Sequence, residues 1–159
     1  MIDNKTLNKL SEVIPKGDMK SLQEIAVYQD ENGDFCLFNK YTIRKIDGLF
    51  TVIVDYVFDT HTFSSLKNAV VWCTLDKRNK ILESNTVKTL DQQMTALDSA
   101  IVIHSTLAKK AKNDEDKLIY LSKLSQERAK KRKVLAEIDF YIEDSKRWQL
   151  NRMNRKPAQ

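Results

Sequence analysis

Apolar residues alternate in short runs through the first part of the chain and recur with helical spacing through the rest. Three strand-like runs come first, and Asn32-Gly33 and Asp47-Gly48 separate them. Both dipeptides favour tight hairpins because the central residues of such turns need positive φ. The pattern therefore predicts a three-stranded antiparallel β-meander over residues 25–58. Its strands are residues 25–29, 35–46 and 49–58.

The register of the second hairpin follows from a two-residue turn at Asp47-Gly48. Such a turn places Ile46 opposite Leu49, and it continues the ladder through two more pairs. Those pairs are Ile43 with Val52 and Tyr41 with Val54. The third strand then presents one alternating apolar face, which is the expected core side. That face consists of Phe50, Val52, Val54, Tyr56 and Phe58.

A helix is expected within residues 62–80, after a connection at residues 59–62. Thr62 is a suitable N-cap, and the helix would run from Phe63 to about Asp76. Four apolar side chains share one face of it, and neighbouring apolar residues widen that face. This breadth predicts a helix buried between the sheet and the helices that follow. The four residues are Phe63, Leu66, Val70 and Cys73.

Two long helices are predicted over residues 84–149, joined by a short break at Asn113-Asp114. The first is capped by Ser84 or Asn85, and the second runs from about Asp116 to Gln149. Spacings of three and four alternate throughout, which is typical of a coiled-coil seam in an antiparallel αα-hairpin. The first seam is Val87, Leu90, Met94, Leu97, Ile101, His104, Ala108 and Ala111. The second reads either Leu121, Leu124, Arg128, Lys131, Leu135, Ile138, Ile142 or Tyr120, Leu124, Glu127, Lys131, Val134, Ile138, Tyr141.

The predicted fold class is α+β, with a meander packed on one helix and followed by a helical hairpin. All 159 residues fit a single domain. Residues 1–20 are expected to be loosely held, and residues 150–159 to fray. No signal peptide or long apolar stretch is recognisable, so a cytoplasmic protein without a membrane anchor is expected. Cys36 and Cys73 are expected to be free thiols in a reducing compartment.

The two histidines are the first candidates for chemistry. His104 lies on the seam of the third helix, where it is either a ligand or pH-sensitive group or a partly buried polar residue. His61 lies near Asp55 and Asp59, the minimum for a general base or a metal ligand. The sequence has no close Cys or His pair and no glycine-rich phosphate loop. We therefore expect no metal, no cofactor and no enzymatic activity.

Positive charge is concentrated in the C-terminal third. Residues 105–159 hold 15 Lys and Arg against 8 Asp and Glu, whereas the whole chain has a net charge of +5. Clustered cations are what a phosphate backbone requires, so a nucleic-acid contact is one interpretation. A solvated helix face is the other, because adjacent residues spread around a helix. The candidate contacts are Lys109, Lys110, Arg128, Lys130, Lys131, Arg132 and Lys133.

Apolar residues near the hairpin turn exceed what one seam can bury. Leu118, Ile119, Tyr120 and Leu121 would surround the start of the fourth helix. A helix that is apolar on all sides is normally covered on all sides. A second copy covering Leu118, Ile119 and Tyr120 would make the protein a homo-oligomer. The alternative is that the N-terminal segment folds back over the turn.

Three stretches resemble uncharacterised small proteins of marine tailed bacteriophages. They are Thr62-Phe63-Ser64-Ser65-Leu66-Lys67-Asn68-Ala69-Val70-Val71-Trp72-Cys73, Ile138-Asp139-Phe140-Tyr141-Ile142 and Ser145-Lys146-Arg147-Trp148-Gln149. The resemblance implies a protein made in the cytoplasm of an infected bacterium, with a phage or host protein as partner. It assigns no activity and no functional residues. We expect a non-enzymatic interaction or assembly protein that self-associates through its hairpin, with nucleic-acid binding by the basic helices as the alternative.

Overall fold

The computed structural model describes residues 28–29, 33–38, 40–55 and 57–153. Within them the chain is α+β, as predicted: an antiparallel sheet is followed by three helices. The five strands lie side by side in chain order. They are β1 Tyr28–Gln29, β2 Phe35–Leu37, β3 Tyr41–Ile46, β4 Leu49–Val54 and β5 Val57–Phe63. The helices are α1 Leu66–Lys77, α2 Ile81–Lys110 and α3 Asp114–Met153.

The β3–β4 hairpin has the predicted register. Ile46 pairs with Leu49, and the ladder continues through the two further predicted pairs to Tyr41 and Val54. Asp47 and Gly48 both have positive φ, at 52° and 79°. These angles are the ones that a two-residue turn between twisted strands requires.

Replacing Gly48 with valine should lower the free energy of unfolding by about 1 kcal/mol or more, since a β-branched residue resists positive φ. A Cβ at this position would meet no atom within 4 Å, so backbone conformation alone sets the cost. Urea denaturation measures the effect, and Gly48→Asn is the matched control because asparagine tolerates positive φ. Equal midpoints for the two variants would contradict this account of the turn.

The meander is longer than three strands because two of the predicted strands are folded in half. Phe38, with φ of 55°, and Asp55, with φ of 48°, occupy the two additional turns. Neither turn contains glycine, the usual signal for this conformation. The core face of β4 is therefore shorter than predicted: Val52 is fully buried, Phe50 and Val54 are half-buried, and the strand ends there.

The predicted connection at residues 59–62 is wrong, because β5 continues through it to Phe63. The predicted cap at Thr62 is wrong for the same reason. Ser65 caps α1 instead, and its hydroxyl accepts a hydrogen bond from the Asn68 backbone N–H at 3.1 Å. Phe63 contributes to the core from the sheet rather than from the helix.

Helix α1 is the centre of the molecule and lies between the sheet and the hairpin, as predicted. Eight consecutive residues from Asn68 to Leu75 are buried. The sheet contributes Leu37, Tyr41 and Val52 to the same core. The hairpin contributes Val87, Leu90, Val134, Ile138 and Ile142.

The long hairpin is present with shifted ends. Helix α2 begins at Ile81, before the predicted caps, and Lys80 precedes it without a side-chain cap. Helix α3 begins at Asp114, and the Asn113 side chain accepts from the Asp116 backbone N–H at 2.8 Å. The predicted first seam is buried or half-buried throughout, and the second interpretation of the α3 seam is the correct one. Helix α3 continues through residues 150–153, the first part of the tail that was predicted to fray. Residues 1–20 and residues 154–159 lie outside the described residues.

Candidate interaction surface

The seam of the hairpin carries a polar layer about two helical turns from the end of α2. His104 Nδ1 contacts Glu127 Oε1 across the seam, and the His104 ring stacks on Tyr120 with centroids 6.4 Å apart. Lys131 Nζ lies 2.7 Å from Asp98 Oδ1 in the next layer. His104 thus occupies a seam position and faces a carboxylate. This arrangement fits a structural role for His104 as a partly buried polar residue of the seam.

His61 lies in strand β5, not in a loop, and pairs with Val52. Its ring stacks on Trp72 with centroids 4.3 Å apart, and Lys88 Nζ lies 3.1 Å from its Nδ1. These contacts hold the ring against the core. Across the described ranges, no three His, Cys, Asp or Glu side chains are grouped so that they could hold a metal ion.

Both cysteines are free thiols, as predicted. Cys36 is half-buried in β2, whereas Cys73 is fully buried in α1. Burial raises the pKa of the Cys73 thiol well above its usual range, with the nearby Asp76 carboxylate adding to the effect. Cys73 therefore carries little of the reactive thiolate form.

A buried carboxylate that the sequence analysis did not single out joins the sheet to the hairpin. Asp91 of α2 accepts hydrogen bonds from the Ser64 backbone N–H at 3.0 Å, the Ser64 hydroxyl at 2.7 Å and the Asn68 amide at 2.8 Å. It fixes the β5–α1 junction on the base of α2. Asp91 follows the seam residue Leu90, and nothing in the sequence marks it as different from an exposed acid.

The basic candidates divide into two groups on the hairpin. Lys109 and Lys110 end α2, whereas the others lie in the middle of α3, beginning at Arg128. Arg128 lies fourteen positions beyond Asp114, so the groups are separated by about 20 Å along the axis. Lys131 is half-buried in its pair with Asp98. The other six side chains are exposed and make no ion pair within the described part of the chain.

The apolar residues at the start of α3 are exposed. Leu118 is 69% exposed, Ile119 is 49% exposed and Leu121 is 44% exposed. These three residues are called the tip surface below. Tyr120, the third predicted contact, is instead half-buried and packs on His104. The tip surface is thus an exposed apolar patch on three sides of the start of α3. Tyr120, on the remaining side, packs into the seam.

The sheet and α1 do not extend to the tip surface. They pack on the other end of the hairpin, where Asp91 holds Ser64 and where Arg78 Nη1 binds Asp144 Oδ2 at 2.7 Å. From Asp91 to the turn at Ala111 the helix advances by about 30 Å. Within the described chain, only the hairpin itself lies near the tip surface.

None of the helices in the described residues is both long enough and apolar enough to cross a membrane. Comparison of the chain with protein-family models, with curated proteins and with solved structures gives no match.

Proposed function

We propose that this chain is a non-enzymatic interaction or assembly protein that associates with itself through its helical hairpin. The observation that carries the proposal is the exposed tip surface, on the end of the hairpin that projects away from the sheet. The resemblance to phage proteins favours virion assembly and phage DNA metabolism alike, so the choice between them depends on the tip surface.

Burial of the tip surface against a partner would be energetically favourable. Full burial of a leucine or isoleucine side chain is worth about 1.5–3 kcal/mol, and contiguous exposed apolar patches on soluble proteins commonly mark interaction sites. Leu118 and Ile119 are adjacent, so one docking partner can cover both. A second copy of the chain is the simplest partner, since a two-fold contact covers the tip surfaces of both copies at once.

The tip surface is tested with the double substitution Leu118→Asp and Ile119→Lys. We expect the wild-type protein to be oligomeric at micromolar concentration by size-exclusion chromatography with light scattering, and the variant to be a folded monomer. Tyr120 is left in place because its ring packs on His104 inside the seam. Circular dichroism checks that the variant is folded.

Leu82→Lys is the matched control for this experiment. Leu82 is 80% exposed at the base of α2, so the substitution removes an exposed apolar residue from the opposite end of the hairpin. It should leave the oligomer intact. A wild-type monomer at all accessible concentrations would refute the proposed self-association.

Nucleic-acid binding is the second candidate, favoured by the six exposed cations without an ion pair in the described chain. The same chromatography with a duplex DNA fragment tests it. Phosphate contacts release counterions, so a complex that forms at low salt and is lost at high salt would support this function. Association through apolar side chains would persist at high salt.

A further inference from the structure

The outer face of α3, turned away from α2, is exposed along its whole length. The helix has 40 residues and is therefore about 60 Å long. Every seventh residue along this face is exposed, and three of them are small. These positions are Ser122, Ala129, Ala136, Glu143 and Leu150. A face with small residues along its middle lets another helix approach closely.

Charge on α3 is divided into two adjacent blocks of opposite sign. Residues 128–133 hold five cations and no anion, and residues 137–144 hold four anions and no cation. Lys131 and Asp144 are paired within the chain, with Asp98 and Arg78, so the exposed charges are Arg128, Lys130, Arg132 and Lys133 in the first block and Glu137, Asp139 and Glu143 in the second. We call them the basic block and the acidic block. Ala136 lies between them, on the exposed outer face.

We propose that two copies of the chain pair antiparallel along the outer faces of α3, with the basic block of each copy against the acidic block of the other. The inference rests on the proposed self-association and specifies its geometry. Antiparallel pairing about a two-fold axis close to Ala136 places the basic block of each copy opposite the acidic block of the other, because the axis lies between the two blocks. The contact is then made twice, as two-fold symmetry requires.

This axis also aligns the small and apolar positions. Residues equally far from Ala136 face each other, so Ala129 lies opposite Glu143 of the second copy and Ser122 lies opposite Leu150. Leu118, in the tip surface, then lies near the C-terminal end of the second copy's α3. The tip of each hairpin thereby covers the exposed Leu150 at the base of the other.

Other alignments of the two helices bring like charges together. Parallel pairing in register places the basic block on the basic block, and antiparallel pairing about Ala129 places Arg128 against Lys130 of the second copy. Like-charge contact is unfavourable and disfavours wrong alignments strongly. Individual exposed ion pairs are worth little, so the blocks select the orientation whereas the apolar contacts supply affinity.

A charge exchange between the blocks tests the orientation. The first variant carries Arg132→Glu and Lys133→Glu, and the second carries Asp139→Lys and Glu143→Lys. Each variant alone should weaken dimerisation by about tenfold or more in sedimentation equilibrium, because each brings like charges together twice. An equimolar mixture of the two should form a heterodimer, because one contact keeps the wild-type charges and the other places the introduced glutamates against the introduced lysines.

Combining all four substitutions in one chain should restore dimerisation to within about threefold of the wild type, since the introduced glutamates of each copy again face opposite charges, the introduced lysines of the other. Ser99→Lys, at an exposed position of α2 outside the proposed contact, is the control for added charge. A dimeric wild type that none of these substitutions affects would overturn the antiparallel geometry and leave the proposed function standing. A monomeric wild type would overturn both.

Disulfide trapping gives a readout that does not depend on affinity. Ala136→Cys should cross-link to itself in a symmetric dimer, because the residue lies at the axis. Ser122→Cys alone should not, but it should cross-link to Leu150→Cys in a mixture of the two variants. Cross-linking of Ser122→Cys to itself would overturn the proposed axis. The wild type, with its two native thiols, sets the background.

Discussion

Replacing Trp72 with alanine should lower the free energy of unfolding by about 3–5 kcal/mol, the largest stability effect expected for a single substitution in this chain. Trp72 is 4% exposed at the centre of α1. Its ring stacks on His61 at 4.3 Å and packs near Phe63 at 6.0 Å and Tyr41 at 6.3 Å between centroids. Alanine would leave a cavity where the sheet meets the helices.

Thermal and urea denaturation followed by circular dichroism measure this effect. Trp72→Phe is the matched variant, because it keeps an aromatic ring in the same place and should cost less than the alanine substitution. Leu82→Ala, at an exposed position, should change the free energy of unfolding little. A Trp72→Ala midpoint close to that of Leu82→Ala would contradict the position of Trp72 in the core.

Replacing Asp91 with alanine should lower the free energy of unfolding by about 3 kcal/mol, because buried donors left without an acceptor cost about 1–3 kcal/mol each. Asp91 is 3% exposed and serves two donors of Ser64 and the Asn68 amide. Its loss would also release the β5–α1 junction from α2. The measurement is again the urea midpoint.

Asp98→Ala is the control for Asp91. Asp98 lies on the same helix and pairs with Lys131, but its side chain is 53% exposed. Exposed pairs contribute about 0–1 kcal/mol, so this substitution should change stability much less. If the two alanine variants unfolded at the same urea concentration, the buried role of Asp91 would be refuted.

The parts of the fold that could be predicted are those with a regular hydrophobic period or a characteristic turn dipeptide. The α2 seam has alternating spacings of three and four over eight positions, and such a pattern fits few other structures. The β3–β4 register likewise followed from Asp47-Gly48, because this dipeptide specifies both the turn and its length. Both features depend on local sequence, which is why one sequence was enough to find them.

The remaining features depend on the rest of the molecule. Phe38 and Asp55 hold positive φ in turns without glycine, and residue type alone gave no sign of them. The backbone N–H of Asp55 donates to the Lys40 carbonyl at 2.9 Å, a contact that exists only once the strands are paired. Thr62 has the residue type of a helix cap. Whether such a residue caps a helix also depends on where the preceding strand ends, and β5 continues past Thr62.

In the candidate sites too, some features follow from local sequence and others depend on the rest of the molecule. The exposure of Leu118 and Ile119 was predictable, because the start of their helix is apolar on every side and one seam covers only one side. The placement of Tyr120 against His104 was not, since it depends on which of two α3 seams faces α2. Asp91 was missed because burial of a single acid leaves no trace in the sequence.

The hairpin also determines how far the tip surface lies from the sheet. The sheet and α1 hold only its base, and the tip surface stands about 30 Å farther along α2 from Asp91. Inserting one heptad at the same level in both helices would move the tip by about 10 Å and would leave every contact at the base unchanged. The hairpin is thus a spacer whose length can vary independently of the globular base, and the distance between the β-sheet and the tip surface varies with it.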